Sequence, residues 1–156
     1  MLNNYDQLEQ KIVGKSCLLS VKATDNKEKI ATIRFTFAPV AESSSQGRGK
    51  AGNWKESTDF FLDVNSELIS FGQLLTGYRR QVHYQFHKGK EVIIRRNPDY
   101  SVWVKLKNGQ TELEVVLRDT DCFHVLTLVC ISIADRYSLT KLEALTLLRS
   151  TPLKRE

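Results

Sequence analysis

Strict alternation of apolar and polar side chains between residues 81 and 119 is the feature that most constrains the fold. The segments QVHYQFH, KEVIIRRN, YSVWVKLKN and TELEVVLRD each follow the two-residue period of a β-strand. Only the short turns KG, NPD and NGQ separate them, and Asn108-Gly109 is a strong hairpin signal. Turns this short require antiparallel neighbours, because a parallel connection needs a dozen or more residues. The stretch therefore predicts an antiparallel meander of three or four strands.

The first half of the chain repeats this pattern less regularly. SCLLSVKAT at 16–24 and KIATIRFTFAPV at 29–40 are strand-like and are joined by a hairpin connection, DNKEK. A further strand begins in WKESTDFFLD at 54–63. Residues 3–12 have the character of a short helix, and the Ser- and Gly-rich segment at 41–53 predicts a flexible loop.

Three later segments have helical character. VNSELISFGQLLTG at 64–77 carries an apolar stripe. DCFHVLTLVCISIADRY at 121–137 is apolar nearly all round, which predicts a helix buried on more than one side. LTKLEALTLLRS predicts an additional C-terminal helix at 139–150.

The order of these elements is strands, helix, strands, helix. It predicts one domain over residues 1–156, built from two similar halves, each an antiparallel sheet followed by a covering helix. The fold class is α+β rather than α/β, because hairpin turns demand antiparallel pairing.

Charge is distributed unevenly along the chain. The formal net charge is +5 at pH 7, but residues 79–107 carry eight basic against two acidic side chains, a net +6. The rest of the chain is therefore close to neutral, and the concentrated positive charge favours an anionic partner. The eight basic residues are Arg79, Arg80, Lys88, Lys90, Arg95, Arg96, Lys105 and Lys107.

Cysteine usage and hydropathy indicate the cellular compartment of the protein. Cys17, Cys122 and Cys130 are odd in number, lie in apolar segments and show no metal-site spacing, so we expect buried thiols in a reducing compartment. The N-terminal residues lack the apolar core of a signal peptide, and no run approaches the roughly 18 apolar residues of a membrane span. We expect a soluble protein of the cytoplasm or nucleoid, without a membrane partner.

Catalytic motifs are weak throughout. His83 and His87 lie four residues apart on a strand, which is not the spacing of a helical metal pair. Glu112 and Glu114 share a strand face and leave open a metal-dependent nuclease, although a solvated face is the simpler interpretation. The GRGK segment lacks the rest of a phosphate-binding loop. We expect no catalytic activity, no cofactor and no metal.

A binding surface follows more readily from the same strands. The period of two places Trp103 on one face with Lys105 and Lys107. Single-stranded nucleic acid offers phosphates for the cations and unpaired bases that stack on the ring. On other strands, Arg34 and Lys22 occupy comparable outward positions among Ser and Thr side chains. The alternative is that Trp103 packs against a second subunit and the lysines only favour solubility.

GKSCLLSVK at 14–22, IRFTFAP and three later segments, in order along residues 13–137, resemble the Whirly family of single-stranded DNA-binding proteins. GKSCLLSVK is similar to the family's strand motif Lys-Gly-Lys-Ala-Ala-Leu followed by Ser-Val-Lys, although Val13 replaces the first lysine and one extra residue precedes SVK. IRFTFAP, the Trp54-containing strand running into a helix, YSVWVKL and DTDCFHVLTLVCISIADRY resemble later segments of that family.

The resemblance implies the two-half topology that Whirly proteins share with transcription-coactivator and guide-RNA-binding proteins. It also implies a homotetramer with single strands running along sheet edges. Lys15, Ser16 and Lys22 would then lie on the DNA-binding strand, with Trp54 and Lys55 close to the bound nucleic acid.

These observations together predict a single-stranded DNA-binding protein with little sequence specificity. Two alternatives stay open: RNA binding or annealing, and an assembly or adaptor module that uses Leu142 and Leu145 of the C-terminal helix. The candidate nucleic-acid-binding residues are Lys15, Ser16, Lys22, Arg34, Trp54, Lys55, Arg95, Trp103, Lys105 and Lys107.

Overall fold

Two four-stranded antiparallel sheets and three α-helices make up the parts of the chain that the computed structural model describes, residues 8–41 and 51–150. The first sheet has the strand order β1-β2-β3-β4 and the second β5-β6-β7-β8, so neighbours in sequence are neighbours in space. The strands are β1 (Glu9–Val13), β2 (Cys17–Asp25), β3 (Ala31–Pro39), β4 (Thr58–Phe61), β5 (Gln81–His87), β6 (Lys90–Arg96), β7 (Val102–Asn108) and β8 (Thr111–Leu117). The helices are α1 (Glu67–Leu75), α2 (Asp119–Tyr137) and α3 (Lys141–Ser150). The predicted α+β order of strands, helix, strands, helix is confirmed.

The second sheet is the meander that the alternation predicts. Asn108 pairs with Thr111 at the end of the β7–β8 hairpin, and Gly109 in the turn has φ 64°. That left-handed conformation suits glycine, which has no Cβ to clash with the backbone. The Asn-Gly signal therefore fixes the register that sends Trp103 and both lysines to one face.

The predicted N-terminal helix is wrong for residues 9–13. Residues 9–13 form β1, which pairs with the edge of β2 from Glu9 opposite Lys22 to Val13 opposite Leu18. A segment this short has little helical stability of its own, and the backbone groups of β2 supply hydrogen-bond partners that no local pattern reveals. Residues 3–7 lie outside the described part of the chain.

The predicted loop at 41–53 is described only at its ends. The backbone N–H of Ala41 donates to the carbonyl of Ala51 over 2.8 Å, and Val40 forms an isolated bridge with Gly52. Residues 42–50 lie outside the described ranges. A 3₁₀ turn, Trp54–Glu56, then leads into β4.

The core lies between the sheets and α2. Phe35, Phe37 and Phe71 are fully buried, and the rings of Phe35 and Phe71 meet edge to face with centroids 5.3 Å apart. Helix α2 crosses the first sheet, where Ser132 Oγ donates to the carbonyl of Thr32 over 3.2 Å. The helix also packs against α1, α3 and β8, as its apolar composition predicts, but Phe123 near its start is 68% exposed.

The sheets meet edge to edge at Gly14. A Cβ on Gly14 would lie 2.9 Å from the carbonyl oxygen of Cys17 and 3.3 Å from that of Glu114. The thiol of Cys17 donates to the carbonyl of Glu114 over 3.2 Å. Only glycine therefore allows β1 and β2 to approach β8 this closely.

All three cysteines are free thiols; Cys17 and Cys130 are buried, and Cys122 is half-buried. Burial raises the pKa of the Cys17 thiol to about 11, and burial does the same for Cys122. Burial also raises the pKa of Cys130.

No group of three or more metal-ligating side chains occurs within residues 8–41 and 51–150. None of the helices described is by itself long and apolar enough to cross a membrane; only α2 and α3 taken together reach that length and composition, and they are bent by 101°.

Replacing Phe35 tests the core directly. Phe35→Ala removes a fully buried ring from the contact with Phe71, and we expect a loss of about 3–5 kcal/mol in the free energy of unfolding. Urea denaturation followed by circular dichroism measures it. The matched control is Phe123→Ala at an exposed position, for which we expect less than about 1 kcal/mol. Similar small losses in both variants would contradict this description of the core.

Candidate nucleic-acid interface

Trp103 lies on the outer face of the second sheet between two cations. Strand pairing sets Arg95 directly opposite it, and the guanidinium carbon lies 4.7 Å from the ring centroid. Lys105 Nζ lies 6.0 Å from the same centroid. A positive group near an aromatic face is attracted by the ring quadrupole. The placement of the largest aromatic beside basic side chains is therefore a cation–π arrangement on a half-buried surface.

Carboxylates face the lysines on this same surface. Lys105 pairs across the strands with Glu114, and Lys107 stands between Glu91 and Glu112. Lys105 Nζ lies 3.0 Å from a carboxylate oxygen of Glu112, and this hydrogen bond and charge hold the pKa of Glu112 below its usual range. The outer face of the second sheet is therefore close to electrically balanced. Glu112, one of the two carboxylates considered as metal ligands, therefore forms an ion pair with Lys105.

Other members of the basic cluster hold the backbone together. Arg96 donates to the carbonyls of Leu74 and Leu75 at the C-terminal end of α1, where a positive charge is favourable. Lys90 donates to the carbonyl of Asp59 over 2.6 Å, which ties the β5–β6 hairpin to β4. Two of the eight basic residues of segment 79–107, Lys90 and Arg96, thus stabilise the fold by binding backbone carbonyls.

A groove of about 780 Å³ opens where the first sheet meets the second. Lys11, Lys15 and Ser16 line it from β1 and the β1–β2 turn. Trp103 and Arg118 line it from the second sheet and the start of α2. We call this cleft the β1–β8 groove. It brings together three of the sequence candidates, Lys15, Ser16 and Trp103, that are far apart along the chain.

The electrostatics of the β1–β8 groove favour an anion. Lys11, Lys15 and Arg118 contribute positive charge, whereas Glu114 and Asp121 are the acidic residues in its described lining. The Asp121 carboxylate is already engaged, because it accepts the backbone N–H of Arg118 over 3.1 Å and the side-chain amide of Gln10 over 3.3 Å. The described lining of the groove therefore carries three positive side chains against two negative ones.

Two of the cations in the groove were missed by sequence reasoning. Lys11 was hidden because residues 3–12 have the character of a helix rather than an edge strand. Arg118 lies between β8 and α2, at a junction without a recognisable motif. The signal that could have found Lys11 is its alternation with Ile12, which is buried while Lys11 and Val13 are exposed.

A second patch lies on the outer face of the first sheet. Trp54 is 39% exposed, and Lys11 Nζ lies 5.6 Å from its ring centroid. Arg34 lines the same shallow pocket of about 210 Å³, and its guanidinium carbon lies 5.9 Å from the ring of Phe61. We call it the Trp54 pocket. Lys11 lines both this pocket and the β1–β8 groove, so the two aromatic positions are connected through one cation.

The remaining candidates border these sites rather than line them. Lys22 is half-buried and pairs across the strands with Arg34, while Lys55 is exposed in the turn after Trp54. The threonines expected on the outer face of β3 are buried. Thr32 donates its hydroxyl to the carbonyl of Leu62, and Thr36 donates to the carboxylate of Asp59, its partner on the neighbouring strand β4.

Comparison with known proteins gives a likeness of fold. No family model and no curated protein sequence matches the chain. Among solved structures, that of MRP1/MRP2 from Trypanosoma brucei is similar, with a TM-score of 0.64, 12% sequence identity and coverage of 88% of each chain. The likeness confirms the two-sheet architecture and fits the guide-RNA-binding-like fold; membership of the Whirly family stays a prediction. The chain thus shares its fold, at low sequence identity, with MRP1/MRP2.

Proposed function

We propose that this protein binds single-stranded DNA with little sequence specificity and without catalysis. The observation that carries the proposal is the β1–β8 groove, which Lys11, Lys15 and Arg118 line together with Trp103. Phosphates neutralised by these cations release counterions, and an unpaired base gains stacking energy on the ring.

The same chemistry disfavours duplex DNA. Bases in a duplex are already stacked on one another, so they cannot reach Trp103 without unpairing. Only the phosphate contacts would remain, and those are sequence-independent, so duplex DNA would lose the stacking energy that a single strand gains.

Low sequence specificity follows from the lining of the groove. A ring accepts the face of any base. None of the described residues that line the groove is Asn or Gln, the side chains that read adenine with two hydrogen bonds. Stacking and phosphate contact therefore supply most of the proposed affinity.

RNA is the second candidate, for binding or annealing. The likeness to MRP1/MRP2 fits the guide-RNA-binding-like fold, a topology that the resemblance to Whirly proteins also implies. Discrimination depends on contacts to the 2′-hydroxyl, which is both donor and acceptor. Ser16 in the groove is a group able to make such a contact.

A homotetramer is part of the proposal. Helices α2 and α3 expose Phe123, Tyr137, Leu142 and Leu147, each more than half accessible. Such side chains on adjacent helices suit burial against another copy of the chain. The alternative is an assembly or adaptor module that uses these helices to bind a different protein. The proposed location is the cytoplasm or nucleoid.

Fluorescence anisotropy with labelled oligonucleotides of about thirty bases tests the central proposal. We expect tighter binding to single strands than to duplex, and a steep loss of affinity with salt. Trp103→Ala should weaken single-strand binding by about 1–3 kcal/mol through lost stacking. Lys15→Ala should reduce the salt slope by about one.

Lys141→Ala is the matched control for Lys15→Ala, because Lys141 is exposed at the start of α3 and lines neither the β1–β8 groove nor the Trp54 pocket. It should change neither affinity nor salt slope. Equal or better binding to duplex by the wild-type protein would remove the proposal. Competition between DNA and RNA oligonucleotides of the same sequence separates the two nucleic-acid candidates.

Removing a carboxylate from the second sheet should strengthen binding. Glu112→Gln frees Lys105 from its 3.0 Å ion pair and leaves the outer face net positive. We expect a several-fold higher affinity for single strands and a steeper salt dependence. Glu28→Gln, in the exposed β2–β3 turn, changes net charge equally and should have a smaller effect. Identical effects of both variants would show that only total charge matters.

Light scattering of the purified chain tests the assembly. We expect a mass four times the 17.9 kDa of one chain. Leu142→Glu, at a position 73% exposed on α3, should lower that mass without unfolding the monomer. A wild-type protein that stays monomeric at all concentrations would contradict the homotetramer.

A further inference from the structure

A second groove, separate from the β1–β8 groove, runs between α1 and the edge strand β5. Its volume is about 540 Å³, and none of the described residues that line it also lines the first groove. Ile69 and Gln73 face it from α1, Arg79 from the loop that follows, and Gln85 and Phe86 from β5. We call it the α1–β5 groove.

Phe86, at one end of this groove, has an unusual conformation. Its φ is +66° and its side chain is 98% exposed, at a bulge in the β5–β6 pairing between Tyr84 and His87. Positive φ is uncommon outside glycine and is unfavourable for a bulky side chain. A ring fully exposed to water also forgoes the burial that usually favours an aromatic residue.

The bulge itself has a structural explanation. It allows both Tyr84 and His87 to turn inward although they are three residues apart. The Tyr84 hydroxyl donates to the carbonyl of Glu67 over 2.9 Å, and burial raises the pKa of this phenol. His87 stacks on Phe60 with centroids 3.9 Å apart and lies 2.9 Å from the carboxylate of Glu67. Glycine or asparagine at position 86 would serve this bulge at lower conformational cost.

The packing of Tyr84 and His87 therefore explains the bulge, but it does not explain why an aromatic side chain occupies position 86. Strained backbone that the fold itself does not require is an indication of function. The surroundings indicate which ligand the ring suits. Gln85 supplies an exposed amide, whose nitrogen lies 3.1 Å from His83 Nδ1. Gln73 is buried, and its Oε1 accepts from Arg79 Nε over 2.6 Å, which holds the arginine at the groove. Lys88 is exposed two residues beyond the ring.

We propose that Phe86 and the α1–β5 groove form a second nucleobase-binding site, in which an unpaired base stacks on the ring. The exposed amide of Gln85 is suited to hydrogen-bond the base edge, and Arg79 and Lys88 to the flanking phosphates. This site rests on the proposed function, because it takes the same class of ligand as the β1–β8 groove. It would add base contacts that the first groove lacks, since the described lining there holds no amide side chain.

Photo-crosslinking tests the site. Oligonucleotides of about thirty bases carrying 5-iodouracil at single positions are irradiated with the wild-type protein, and mass spectrometry locates the attached peptides. We expect a crosslinked peptide that contains Phe86, in addition to any at Trp103 or Trp54. Phe86→Trp should retain the crosslink, whereas Phe86→Gly should lose it.

Phe86→Gly separates a ligand contact from a structural role. Glycine is favoured at φ +66°, so this variant should unfold at the same or a higher temperature than the wild type. Its affinity for single strands should nevertheless fall by about 5- to 150-fold, the range for one lost stack. Tyr100→Gly is the matched control, because Tyr100 is also an exposed aromatic residue at positive φ, 69°. This variant should leave the affinity for single strands unchanged.

The outcomes distinguish the two proposals. Wild-type protein that binds single strands, with no crosslink at Phe86 and full affinity in Phe86→Gly, overturns this site and leaves the β1–β8 groove intact. The same result is expected if the β5 edge takes up an extended peptide instead of a base. Wild-type protein that binds no oligonucleotide overturns the proposed function and this site together.

Discussion

The close approach of the two sheets at Gly14 is the constraint on which the rest of the structure depends. A side chain there would collide with the backbone of Cys17 and Glu114, so the edge of the first sheet could not reach β8. Two half-covered sheets must bury their inner faces, and α2 fills the space between them only when these edges meet. The far side is closed by the stack of Phe60 on His87 and by Lys90 on the backbone of Asp59.

The same edge contact builds the candidate interface. It sets Lys11 and Lys15 of one half beside Trp103 and Arg118 of the other. Basic residues outside the groove have other contacts. Lys105 is paired with Glu112, and Arg96 donates to the backbone at the end of α1. The position of the proposed binding site therefore follows from where the halves meet rather than from the total charge of the chain.

Sequence patterns predicted those parts of the fold that depend on local periodicity. Alternation and the Asn108-Gly109 turn were sufficient to place Trp103 and Lys105 on one face. The pattern could not reveal β1, because its stability comes from the edge of β2, or the carboxylates opposite the lysines, because cross-strand partners depend on register. It also could not reveal the bulge at Phe86, where a strand departs from the period of two.

Hydrogen–deuterium exchange read by mass spectrometry, with and without a saturating single-stranded oligonucleotide, tests most directly whether the seam between the sheets is the binding surface. Slower exchange is predicted in peptides covering residues 11–16 and 114–118, which border the β1–β8 groove from its two sides. Unchanged exchange in both regions, with protection confined to α2 and α3, would contradict this conclusion.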